Sequence, residues 1–212
     1  MLFTPGSFDF WMSVGMALSG LFGGLMMGMG YVRSKHKTEK LKEETDINLN
    51  ILSDVRHSHI QEQLTTLRNL LQGDRAQVLQ FHNGGKFLEG SPMKRFSATH
   101  ESCDLGVSLE HPHNQSVLVT LFWDLIQFIR KDEPIVYYTE NLKENSNLRT
   151  YNESKNIKAF CVLPLKKEDF FVGFIKLEWN DFDKIPLDSQ KAEKTFDLYR
   201  SFIELEIVKN RG

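Results

Sequence analysis

The side chains best suited to chemistry are gathered between Phe81 and Glu101. His82 and Asn83 close one predicted strand, Gly84 and Gly85 follow as its turn, and Thr99, His100 and Glu101 lie on the next predicted strand. If the two strands are neighbours, these groups converge as hydrogen-bond donors and acceptors. A small-ligand site is built that way, from a few polar groups on an apolar wall. His82, Asn83, Thr99, His100 and Glu101 are therefore the candidate ligand-binding residues. A second reading stays open: His82 and Asn83 hydrogen-bond the turn and hold Gly84-Gly85 in place.

Other chemistries lack their residue patterns. Cys103 and His100 stand three apart on a strand and so point to opposite faces, which separates the one tempting nucleophile from its base. No Gly-x-Ser-x-Gly elbow and no paired carboxylate motif occurs, and an enzyme is not expected. Gly84-Gly85-Lys86 lacks the spacing of a phosphate loop. His82, His100, Glu101, His111 and His113 include no histidine pair four apart on a helix, so neither a metal nor a cofactor is expected. His57 and His59 are two apart on a helix and face different ways. Cys103 and Cys161 read as free thiols, with a disulfide left open. The net charge of −2, with no basic patch interleaved with aromatics, excludes nucleic acid as a partner.

The elements that would position these residues begin with an anchor. From Phe10 to Val32 there is no charged residue, and a helix needs about 20 such residues to cross a bilayer. Trp11 and Tyr31 flank the run at headgroup level. Gly20, Gly24 and Gly28 recur every fourth residue, a smooth stripe on which two spanning helices can approach and self-associate. No Lys or Arg precedes the run, whereas Arg33, Lys35, Lys37, Lys40 and Lys42 follow it, which puts the large domain in the cytoplasm and the protein in the inner membrane. Residues 1–33 are thus a terminal segment with a single span, 34–73 a juxtamembrane stalk helix, and 74–212 a soluble domain. In the stalk, Ile60, Leu64, Leu67 and Leu71 line one helical face, to pair in a dimer or to lie on the domain, and Gly73 ends the helix.

In the domain, Ala76 to Phe81, Phe96 to Cys103 and Ile135 to Tyr138 read as strands. Ser116 to Arg130 reads as an amphipathic helix with Val117, Leu121, Leu125 and Phe128 on one face, and a short helix falls near Leu148 to Ser154. Ala159 to Leu165 and Phe171 to Trp179 form a hairpin about Lys166-Lys167-Glu168-Asp169. Asp188 or Ser189 caps a last helix whose face is Ala192, Phe196, Tyr199, Ile203 and Ile207. The order predicts an α+β fold, a mixed or antiparallel sheet flanked by helices.

The hairpin Ala159-Phe-Cys-Val-Leu-Pro-Leu165 with Phe171-Val-Gly-Phe-Ile-Lys-Leu-Glu-Trp179 resembles that of GAF domains, which are related to PAS domains. The flanking helices suit that family. The resemblance implies a sensor of small molecules, or a dimeric regulatory module, tethered behind a membrane helix. The layout of span, stalk and hairpin-ending domain is also similar to the lysis holin of T-even bacteriophages, with Cys161, Gly173 and Trp179 at matching places. That resemblance implies a membrane pore protein with a periplasmic regulatory domain. The leading expectation is a membrane-tethered, non-enzymatic GAF-like module that binds a small ligand or protein regulator and forms a homo-oligomer in the lipid bilayer. A holin-like pore protein and a structural or assembly protein are the alternatives.

Overall fold

The computed structural model describes residues 8–86 and 92–208. It comprises two compact units, Met1–Asp54 and Val55–Gly212. Helix α1 is assigned over Phe8–Leu70. Among the described residues no helix is long and apolar enough to cross a membrane. Within the predicted span only Met12, Met16, Tyr31 and Val32 have described side chains, all exposed. Gly20, Gly24 and Gly28, and the self-association assigned to them, fall outside what is described.

In the second unit, α1 is part of the core and not merely a stalk. Ile60, Leu64, Leu67 and Leu71 are buried against the sheet, as a four-three-four apolar spacing on one helical face requires. The helix ends at Trp179, whose indole Nε1 donates to the Leu71 carbonyl at 3.0 Å. The left-handed residue there is Gln72 (φ 53°) and not Gly73. Gly73 is needed for a different reason: a Cβ on it would stand 2.4 Å from the Leu177 side chain.

The sheet has six antiparallel strands: β1 (Arg75–Lys86), β2 (Pro92–Cys103), β3 (Val117–Leu118), β4 (Val136–Tyr138), β5 (Ala159–Lys167) and β6 (Phe170–Trp179), in spatial order β3-β2-β1-β6-β5-β4. The remaining helices are α2 (Trp123–Ile129), α3 (Asn147–Ser154) and α4 (Ser189–Val208). Alternation along the strands divides the core in two. Ala76, Val78, Ile175, Leu177 and Trp179 face α1 and α4, where Ala192, Phe196 and Ile203 pack. Leu79, Phe96, Phe160, Val162 and Phe174 face α2 and α3 through Leu125, Ile129 and Leu148. Every residue from Ala159 to Leu165 is buried, because β5 is covered on both faces.

Two expectations are corrected. His82-Asn83-Gly84-Gly85 is not a turn: β1 runs on through it, pairing His82 with Arg95, Asn83 with Lys94 and Lys86 with Pro92. Gly84 leaves room for the Arg95 side chain, which would lie 2.3 Å from a Cβ there. Ser116 to Arg130 is not one helix either. Ser116 is left-handed (φ 55°), Val117 and Leu118 pair with β2, Val119–Phe122 is a 3-10 turn, and α2 begins only at Trp123. Leu121, assigned to the buried face, is consequently exposed.

Candidate functional site

Four of the strand residues on the α2/α3 face are charged and buried. β1 contributes Arg75, β2 Glu101, and β6 Lys176 and Glu178, each side chain 5% exposed or less. Arg75 donates from Nη1 to Glu178 Oε2 at 2.5 Å and from Nη2 to the Ser108 carbonyl at 2.6 Å, while its Nε lies 3.2 Å from Glu101 Oε1. Lys176 Nζ meets the other Glu178 oxygen at 2.6 Å. Glu101 accepts from Gln77 Nε2 and from the backbone N–H groups of Glu110 and His111. Lys155 closes the set by pairing with Glu110 at 2.9 Å. Three cations thus balance three carboxylates. Burial opposes the charged form of Glu178, but Lys176 and Arg75 outweigh it and hold the carboxyl below its ordinary value of 4.5. Burial likewise opposes the Arg75 charge and is overridden by Glu178.

Beside this network is a cavity of about 20 Å³, lined among others by Gln77, Asn114, Tyr151, Phe174 and Lys176. That is room for about one water molecule. The interior between the sheet and α3 is filled by the protein's own side chains.

At the opposite end of the same sheet face, an open groove of about 700 Å³ lies between the strand ends and α2. Phe81, His82 and Asn83 of β1, Lys94 of β2, Phe171 of β6, and Val119, Ile126 and Arg130 line it. Among the described residues, four apolar side chains form the walls and the charged lining groups are cations. Lys94 and Arg130 are exposed. By contrast, Arg68, Arg75, Arg149, Lys155, Lys166, Lys176, Lys184 and Arg200 each sit in an ion pair. His82 is steadied by Ser97 Oγ at 2.9 Å. The volume falls in the range of small-molecule sites.

The structure separates the residues that the sequence grouped together. His82 and Asn83 line the groove. His100 pairs with Val78, four residues along β1 from His82, which puts them about 13 Å apart at the rise of a strand. His100 is buried on the α1 side, where Nε2 lies 3.0 Å from His57 Nδ1. Glu101 faces the other way, into the charge network. Thr99 donates to the Val78 carbonyl at the irregularity in the β1–β2 pairing. Lys94, Ile126, Arg130 and Phe171 escaped sequence reasoning, because no motif marks residues that meet only in three dimensions. Cys103 and Cys161 are free thiols, and burial pushes both up, away from the reactive thiolate. Among the described residues no group of three or more His, Cys, Asp or Glu side chains is placed to hold a metal.

The charge network fixes a first expected outcome. Replacing Glu178 by Gln leaves Arg75 and Lys176 buried without their common counter-charge, a loss of about 3–5 kcal/mol in urea unfolding. Because the Glu178 carboxyl is held low in the fold, the unfolded chain takes up the proton first. Wild-type stability therefore falls as pH drops below about 4.5, and a stable Glu178→Gln protein would show the network contributes little.

No known family model matches the chain, and no curated protein matches it in sequence. Solved structures do match in shape. The blue-light-absorbing form of the PixJ GAF domain of Thermosynechococcus elongatus superposes with a TM-score of 0.55 at 14% identity, over 74% of this chain and 88% of that one. A far-red cyanobacteriochrome photoreceptor gives 0.56 at 13%, over 83% and 99%. The phycoerythrobilin-bound GAF domain of a cyanobacterial phytochrome gives 0.53 at 11%, over 72% and 85%. At these identities the likeness is one of architecture: the antiparallel sheet and its flanking helices have a GAF-like α+β fold.

Proposed function

We propose that this chain is a membrane-tethered, non-enzymatic regulatory module whose GAF-like domain takes a small organic anion with an apolar body. The observation that carries the reading is the groove beneath α2, where Lys94 and Arg130 share the lining with Phe81, Val119, Ile126 and Phe171 and, among the described residues, no carboxylate joins them. A carboxylate or similar head would meet the two cations and the apolar body would cover the ring faces. The cavity of about 20 Å³ is too small for a chromophore such as the phycoerythrobilin named in one structural neighbour. Tethering rests on the uncharged run Phe10 to Val32, cytoplasmic placement on the lysines that follow it, and self-association on Gly20, Gly24 and Gly28.

Aryl carboxylates titrated into the detergent-solubilised full chain are expected to raise its melting temperature. At a hundredfold excess over Kd the gain is about 2.7 kcal/mol. Lys94→Glu with Arg130→Glu abolishes the shift and alters the unliganded stability by less than about 0.5 kcal/mol, because both side chains are exposed. An undiminished shift in that double variant contradicts the assignment of the groove, and no shift with any carboxylate contradicts the ligand class.

A holin-like pore protein is the second reading, favoured by the glycine stripe in an uncharged run. Topology separates the two. A reporter fused after Gly212 is expected to be active only in the cytoplasm for the tethered module, and a periplasmic signal would put the pore reading first.

A further inference from the structure

The domain's hold on the first turns of its helix is narrow. From Val55 to His59 the side chains are exposed or partly exposed, and Val55 itself is 48% exposed. Continuous burial on α1 begins only with Ile60, Leu64 and Leu67. Hydrogen bonds tie this end of the helix to β2, among them His57 Nδ1 to His100 Nε2 at 3.0 Å and Gln61 Nε2 to the Glu101 carbonyl at 2.8 Å. The two imidazole rings also stack, with centroids 5.1 Å apart and planes 27° from parallel.

The proton positions in this contact follow from its neighbours. Thr99 Oγ1 gives its hydrogen to the Val78 carbonyl and must accept from His100 Nδ1, 3.1 Å away. His100 Nε2 is then an acceptor, and His57 Nδ1–H is the donor. A chain of this kind is satisfied when His100 is neutral. A proton added at His100 Nε2 would place charge on a buried ring and set two N–H donors face to face. Glu101 points to the opposite face and is held by Arg75. Across the strand pair stands Val78, and the titratable neighbours are His57 on α1 and His111 in the segment after β2. Asp54 stands three residues before His57 on the same helix and is itself not free of partners.

We infer that His57 and His100 form a pH-sensitive clasp that fastens the first turns of the domain helix to β2 near neutral pH and releases them on acidification. Burial first, then His57 and His111, lower the His100 pKa from 6.5 to about 4. A released helix returns His100 to solvent and to its ordinary value, so the open form binds the proton first. The clasp is fully formed above about 6.5 and is lost progressively toward 4. At the amino end of a domain proposed to be tethered by this same helix, such a release converts local acidity into a change in helix order.

Hydrogen exchange of the detergent-solubilised full chain at pH 7.5 and 5.0, corrected for the intrinsic pH dependence of exchange, tests the clasp. Residues 55–61 are expected to lose protection about thirtyfold, the ratio that the two His100 pKa values give at pH 5. Peptides from α4 should change far less. His57→Ala should show weak protection of 55–61 at both pH values, and His100→Gln, which cannot be charged, should show no step between them. Equal wild-type protection at the two pH values overturns the proposal. So does a loss spread evenly over the domain, or a step that survives in either variant. His57 is exposed, so its variant keeps the test decisive even where His100→Gln fails to fold.

Discussion

The arrangement of this domain depends on the neutral cluster of buried charges formed by Arg75, Glu101, Lys176 and Glu178 with Lys155 and Glu110. Charged groups in a protein interior are costly unless each finds a partner and its remaining hydrogen bonds. Here the strands themselves supply the partners. Arg75 and Glu178 are direct cross-strand neighbours in the β1–β6 register, and Lys176 is two residues from Glu178 on the same face. The cost of burial is met only if β1, β2 and β6 keep this register, because a shift of one residue would turn every charge to the other face. The opposite face admits none of them: α1 and α4 cover it with Leu, Ile, Ala and Phe side chains.

The same cluster decides where a ligand can go. Its side chains occupy the space between the sheet and α3, leaving room for about one water molecule beside Tyr151 and Lys176. What remains open is the other end of that face, where β1 runs past His82 and Asn83, and α2 stands off the strand ends. Closure at one end and an open, cationic trough at the other are two results of one strand pattern. β1 carries charge and polarity at Arg75 and Gln77, then Leu79 and Phe81, on a single face. A regulatory role for the domain would use the trough as its input, with α1 joining the domain to the proposed span.

Local patterns carried much of the fold. The β5–β6 hairpin, α3, and the buried face of α4 at Ala192, Phe196 and Ile203 follow from periodicity and turn residues alone. The segment before α2 did not, since the left-handed Ser116 and the pairing of Val117 with Phe96 are set by β2 and not by the apolar spacing. Phe-Ile-Lys-Leu-Glu-Trp in β6 has the alternation of a strand with one wet face, yet Lys176 and Glu178 are buried because Arg75 and Tyr151 lie over them. For the same reason Glu101 looked available for a ligand while being bound within the protein. The sequence named His82 and Asn83 as candidate ligand residues, and they line the groove, but it did not single out Arg130 or Phe171, which line it too. Their meeting is a product of how α2 and the hairpin pack.

The central claim is that ligands bind in the groove and not in the interior, and site-resolved photolabelling tests it directly. An aryl-azide carboxylate would be photolysed on the full chain and the modified residues located by mass spectrometry. The account predicts label on the groove walls, at Phe81 to Asn83 and at Val119 to Arg130, competed away by unlabelled aryl carboxylate. Competable label at Gln77, Tyr151 or Phe174 would place the site inside the domain and contradict it.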